Sequence, residues 1–138
     1  MAYAIKAAIA EPVEGELVFP AQKTMYGGKK IGVGDAIYLF ASENDGGRGL
    51  VARGIVTEAA PLPRLPGVVR QTPLVSIAVR TTALATRSLG RNELRRMQDW
   101  GDGRPETELN FKLYRQATNK IVAISDRVAE FLETLFPE

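Results

Sequence analysis

The chain has 138 residues and contains neither cysteine nor histidine, which removes disulfides, thiolate and imidazole metal sites, and every Ser-His-Asp or Cys-His catalytic arrangement. Its 45% hydrophobic and 25% charged residues, with a formal net charge of +2, are those of an ordinary soluble protein. That length suits one domain, residues 1–138, large enough to bury a core without covalent staples. No apolar run approaches the roughly 20 residues that span a bilayer. The N-terminus lacks a charged region followed by an apolar one, so the sequence predicts no signal peptide, no membrane segment and a cytoplasmic location.

Tyr3, Ile5, Ala7 and Ile9 alternate with Ala4, Lys6, Ala8 and Ala10, the period of a strand. A turn with Pro12 follows, then the short apolar patch Leu17-Val18-Phe19-Pro20, an edge strand or a wall of the core. Residues 24–34 are glycine-rich and leave room for a short strand ending at the Gly34-Asp35 turn. Residues 35–42 and 50–57 then read as two strands joined by a polar, glycine-rich loop. The first is apolar on both faces, with Ala36, Tyr38 and Phe40 on one and Ile37, Leu39 and Ala41 on the other. Such a strand belongs in a closed barrel or beneath a covering helix.

Pro61, Pro63 and Pro66 make residues 59–67 an extended loop. Residues 74–84 read as a strand with Val75, Ile77, Val79 and Thr81 inward. Residues 88–100 turn helical, with Leu94 and Met97 three apart, and residues 101–106 break the helix. Residues 109–124 end in a strand over Ile121, Val122 and Ile124. Ser125 suits an N-cap, and Val128, Phe131, Leu132, Leu135 and Phe136 form the stripe of a last helix. The order predicts an α+β fold: a mainly antiparallel β-barrel with flanking helices.

Charge is uneven along this order. Residues 1–58 carry a net −1, residues 59–120 a net +6 and residues 121–138 a net −3. Arginine dominates the basic block, and its planar fork suits phosphate and base stacking. Gly27-Gly28-Lys29-Lys30 invites a phosphate-loop reading but lacks the required glycine at Lys23 and the hydroxyl at Lys30. The loop Ser42-Glu43-Asn44-Asp45-Gly46-Gly47-Arg48-Gly49 continues a buried strand, which makes Ser42, Glu43 and Arg48 candidates for a pocket mouth. Trp100, the only tryptophan, stands beside a glycine-rich break, where a ring could stack on a base; Tyr26, Phe111 and Tyr114 are further stacking candidates. Residues 111–120 interleave aromatic and basic side chains in the manner of a nucleic-acid contact strip. No carboxylate pair is placed for acid–base work.

Ile31-Gly32-Val33-Gly34-Asp35, then Ile37-Tyr38-Leu39-Phe40-Ala41-Ser42, then Gly49-Leu50-Val51-Ala52-Arg53-Gly54-Ile55-Val56, is similar to the core of PUA-like domains. EVE and ASCH domains are the nearest variants. Leu113-Tyr114-Arg115-Gln116 and Asn119-Lys120-Ile121-Val122 resemble the closing segment of EVE domains. The tryptophan-containing N-terminal motif of EVE domains is absent, and the ASCH pattern GxKxxExR is matched only at Gly28 and Lys30, with Val33 and Asp35 at its Glu and Arg positions.

The resemblance implies a pseudo-barrel that binds RNA or a modified base in a pocket between the central hairpin and the first strand. On this reading the protein binds RNA or DNA without catalysis, cofactor or metal. Ser42, Glu43 and Arg48 line the pocket mouth, Tyr26 or Trp100 stacks on the base, and Lys29, Lys30, Arg115 and Lys120 hold the backbone. The alternatives are a histidine-free ribonuclease using Lys29 or Lys30 with a carboxylate, and a protein-interaction module using the proline-rich loop.

Overall fold

The computed structural model describes residues 1–137. Strands β1 (Ala2–Ala7), β2 (Glu16–Met25), β3 (Ala36–Ala41), β4 (Gly49–Pro61), β5 (Leu74–Leu84) and β6 (Lys120–Ile124) close into a barrel in the order β1-β3-β4-β5-β2-β6. β1 runs parallel to β3, and β2 to β6; the other neighbouring pairs are antiparallel. Helices α1 (Arg91–Leu94), α2 (Pro105–Leu109) and α3 (Asp126–Glu133) lie outside the barrel, and α2 runs on into a π-helical segment, Asn110–Tyr114.

β3 explains the architecture. Ile37, Leu39 and Ala41 point inward to meet Tyr3, Ile5, Val51, Val75, Ile77, Val79 and Ile121 in the barrel core. Tyr38 and Phe40, on the opposite face, pack under the helices against Leu94, Leu109, Leu113, Val128 and Leu132. The strand is thus both a barrel stave and the floor of a helical layer, as its two apolar faces require. Each large side chain buried this way contributes roughly 1.5–3 kcal/mol. On β5, Val75, Ile77 and Val79 are buried, while Thr81 is only half-buried. Ser125 caps α3, its hydroxyl accepting from the Val128 amide at 3.3 Å.

Three local expectations need correction. β2 is a ten-residue strand rather than a short patch, with a break in register between Phe19 and Gln22 that accommodates Pro20. No strand forms over residues 26–34. The chain makes a 3-10 turn at Gly28–Lys30, where a Cβ on Gly28 would lie 2.1 Å from the Ile121 carbonyl oxygen. Residues 88–100 hold only the single turn of α1, because from Arg91 to Trp100 only Leu94 is buried and one apolar anchor cannot support a longer helix.

Candidate nucleic-acid interface

The loop after β3 organises this side of the barrel. Ser42 ends the strand and Glu43 begins a 3-10 turn, which aims the Glu43 carboxylate at the helical layer. One oxygen accepts the Arg91 amide at 2.7 Å and the other the Tyr114 hydroxyl at 3.1 Å. Glu43 therefore latches the start of α1 and the π segment to the barrel. Both its oxygens already accept from the protein's own donors. Burial, with Glu43 adding to it, pushes the Tyr114 hydroxyl well above its ordinary value and keeps it a donor. A neighbouring bond runs from the Arg91 guanidinium to Asn44 Oδ1 at 3.0 Å.

Beside this latch lies a cleft of about 530 Å3 lined by Arg91, Arg95, Trp100, Phe111, Tyr114 and Arg115, together with Met97, Gln98, Thr107 and Asn110. Its charged lining is entirely arginine. Trp100 is 60% exposed, and its ring meets Phe111 edge-on with centroids 4.0 Å apart. The Arg115 guanidinium sits 4.8 Å from the centre of the Phe111 ring, and Tyr26 flanks the same ring at 5.2 Å. A large indole left in solvent beside an arginine stacked on Phe111 offers a platform for another flat ring.

A smaller pocket of about 260 Å3 adjoins the cleft, sharing Arg91, Tyr114 and Arg115 and adding Lys6, Ser42, Glu43, Asn44 and Ala117. Lys6 and Lys120 face each other across β1 and β6. Two like charges opposite one another are unfavourable, and here carbonyls offset them. Lys6 Nζ donates to Leu113 O at 2.7 Å and Gln116 O at 3.3 Å. Lys120 Nζ donates to Thr118 O at 2.9 Å and to the same two carbonyls at 3.3 Å each. Burial and the charge of Lys6 push the Lys120 amine down to about 8. Burial likewise lowers Lys6, with Glu43 opposing.

The structure brings together Ser42, Glu43, Trp100 and Arg115, with Tyr26 at the edge of the aromatic cluster. It separates the others. Arg48 turns away to make a two-bonded pair with Glu11, at 2.7 and 2.8 Å, and lines neither cavity. Lys120 lines neither cavity, and its amine spends its donors on the Leu113, Gln116 and Thr118 carbonyls, which leaves none for a phosphate backbone. Lys29 and Lys30 are exposed on their turn, outside both cavities. The sequence does not single out Lys6, Arg91 and Arg95 as site residues. A lone lysine interrupting the apolar alternation of β1 was the available signal for Lys6. Among the described residues, no group of three or more aspartates and glutamates gathers where a metal ion would sit.

The closed six-strand barrel with its helical layer is the fold of the solved structures the chain is similar to, and the resemblance read from the central hairpin holds at the level of fold. Among solved structures the chain is similar to the DUF55 domain of human thymocyte nuclear protein 1, at 11% identity and a TM-score of 0.64, with 98% of each chain covered. It is also similar to a protein from Pseudomonas putida, at 14% identity and a TM-score of 0.65, covering 98% of this chain and 99% of that one. A third similar structure is human THYN1 in complex with DNA containing 5-methylcytosine, at 12% identity and a TM-score of 0.63, covering 97% and 96%. No family model and no curated protein sequence matches the chain.

Proposed function

We propose that this protein binds nucleic acid without catalysing a reaction and seats an unstacked base, including a modified one, in the groove beside Trp100. One observation carries the reading: an exposed tryptophan, held edge-on by Phe111, shares a cleft with Arg91, Arg95 and Arg115 and with no carboxylate. The arginines would take phosphates, and the indole would take the face of a base. Support also comes from the similar THYN1 structure, which holds DNA containing 5-methylcytosine.

Tyr26 would widen the aromatic wall, and Lys29 and Lys30 would extend the basic track outside the cleft. Arg48 and Lys120 take no part in binding, and Glu43 serves to position Arg91 and Tyr114. The test uses the single tryptophan as its own reporter. Titration with short RNA and single-stranded DNA, with and without 5-methylcytosine, is expected to quench Trp100 fluorescence saturably, and salt is expected to weaken it. Oligonucleotides that leave the fluorescence unchanged and do not bind by anisotropy would overturn the proposal.

A further inference from the structure

The smaller pocket has features that stacking a base does not explain. Ser42 lines it and is 1% exposed, yet its hydroxyl has no hydrogen-bond partner within the protein. A buried hydroxyl without a partner is costly, and a ligand that accepts or donates there removes the cost. Lys6 is 2% exposed and spends two of its three donors on carbonyls, which leaves one. Arg115 makes no ion pair or hydrogen bond among the described residues; only the Phe111 ring holds it. Arg91 commits one guanidinium nitrogen, to Asn44.

Charge then selects the ligand. Lys6, Arg91 and Arg115 face one carboxylate, Glu43, whose oxygens are both occupied. The pocket therefore presents two uncompensated positive charges. A phosphodiester brings one negative charge, whereas a phosphomonoester brings about 1.5 to 2 near neutral pH and three acceptor oxygens. The volume of about 260 Å3 falls below that of a usual small-molecule site, roughly 300–1,000 Å3, and suits a compact anion.

We infer that the pocket between Lys6, Ser42, Arg91 and Arg115 receives a phosphomonoester, either the terminal phosphate of a nucleic-acid strand or that of a free nucleotide. This deepens the proposed function by giving the groove a register: a terminal phosphate in the small lobe places a base of the same strand in the cleft beside Trp100. The phosphate site itself stands on the pocket geometry. It requires that reading only for the strand that carries the phosphate.

The experiment compares one short oligonucleotide in three forms: 5′-phosphorylated, 3′-phosphorylated and hydroxyl at both ends. A nucleoside monophosphate and inorganic phosphate are run beside them at fixed ionic strength, by calorimetry. One phosphorylated form is expected to bind at least tenfold tighter than the hydroxyl form. Ser42→Ala is expected to cut that preference to about threefold or less while leaving the fold intact or slightly more stable, since it removes an unpartnered hydroxyl. Arg115→Gln is expected to reduce the preference too. Arg48→Gln, outside the groove, is the charge control and keeps it.

If the nucleoside monophosphate matches the phosphorylated strand in affinity, the ligand is the free nucleotide; if only the strand binds, it is a strand end. Equal binding of all three oligonucleotides overturns the inference and leaves nucleic-acid binding in place. Binding of the monophosphate with no oligonucleotide binding overturns the proposed function and leaves the phosphate site in place.

Discussion

Trp100 and Glu43 show how residues with similar sequence surroundings take different tasks. Both stand next to glycine-rich breaks. Trp100 ends up 60% exposed, in an edge-to-face contact with Phe111 and lining the arginine-rich cleft. Glu43 spends both oxygens inside the protein. Trp100→Ala should therefore act on binding and hardly on folding. A stacked base is worth about 1–3 kcal/mol, so anisotropy with a labelled oligonucleotide should show affinity falling about 5- to 150-fold, with the melting temperature nearly unchanged. A large drop in melting temperature would mean that the indole is part of the core. Glu43→Gln should do the reverse. It removes the charge from two hydrogen bonds and turns an amide donor toward the Arg91 N–H or the Tyr114 hydroxyl. The expected loss is about 1–3 kcal/mol in urea unfolding, and an unchanged midpoint would show that the latch carries no stability.

Among the elements, the join between α2, the π segment, β6 and α3 depends on one carboxylate. Glu108 accepts from the Ser125 hydroxyl at 2.7 Å and the Ser125 amide at 2.9 Å, and it pairs with Lys112 at 3.2 Å. Lys112 in turn donates to Ala123 O at 2.7 Å. Burial raises the Glu108 carboxyl, but the Ser125 bonds and the Lys112 charge outweigh it and hold it below its ordinary 4.5. A carboxyl depressed by folding contributes stability above its unfolded value, and that contribution is lost as pH falls through the folded value. Glu108→Gln should thus be destabilised by about 1 kcal/mol at pH 7, with its curve converging on the wild-type curve as the pH falls below the ordinary carboxyl value and through the depressed one. Parallel curves across the acid range would rule out this role.

The same elements show what could be read from sequence. Alternation marks β1 and β5, and the central hairpin shows in two apolar runs joined by a polar, glycine-rich loop, because in a barrel at least one face of each strand must be apolar. Ser125 and the stripe ending at Phe136 marked α3. Residues 88–100 mislead because Leu94 and Met97 share a helical spacing, yet after Leu89 only Leu94 reaches the core. The site was half-legible for a related reason. Ser42, Glu43, Trp100 and Arg115 lie in segments whose composition is odd for their position. Lys6 and Arg91 join them only through the register of β1 against β6 and the docking of Gly90, where a Cβ would lie 2.7 Å from the Glu43 carboxylate. Nothing in a one-dimensional pattern encodes that meeting.

Across the whole molecule, the net charge of +2 conceals a block of +6 over residues 59–120. The fold decides how much of that block a ligand meets. Arg91, Arg95 and Arg115 line the cleft, while Lys112 is paired with Glu108 and Lys120 is buried. Each phosphate neutralised on a single strand contributes about −0.7 to the slope of log K against log salt. Three cleft arginines therefore predict a slope of about −2 for a single-stranded oligonucleotide. The full block would instead give about −4. Replacing Arg95 or Arg115 with Gln should flatten the slope by about 0.7 each and weaken all sequences alike. The measurement is affinity by anisotropy between about 50 and 300 mM salt, a range over which exposed charges are progressively screened. A slope near −4, unmoved by either substitution, would place the contact on the wider basic surface instead of the groove. A slope near −2 that each substitution reduces would tie the electrostatic attraction to the side chains that surround Trp100.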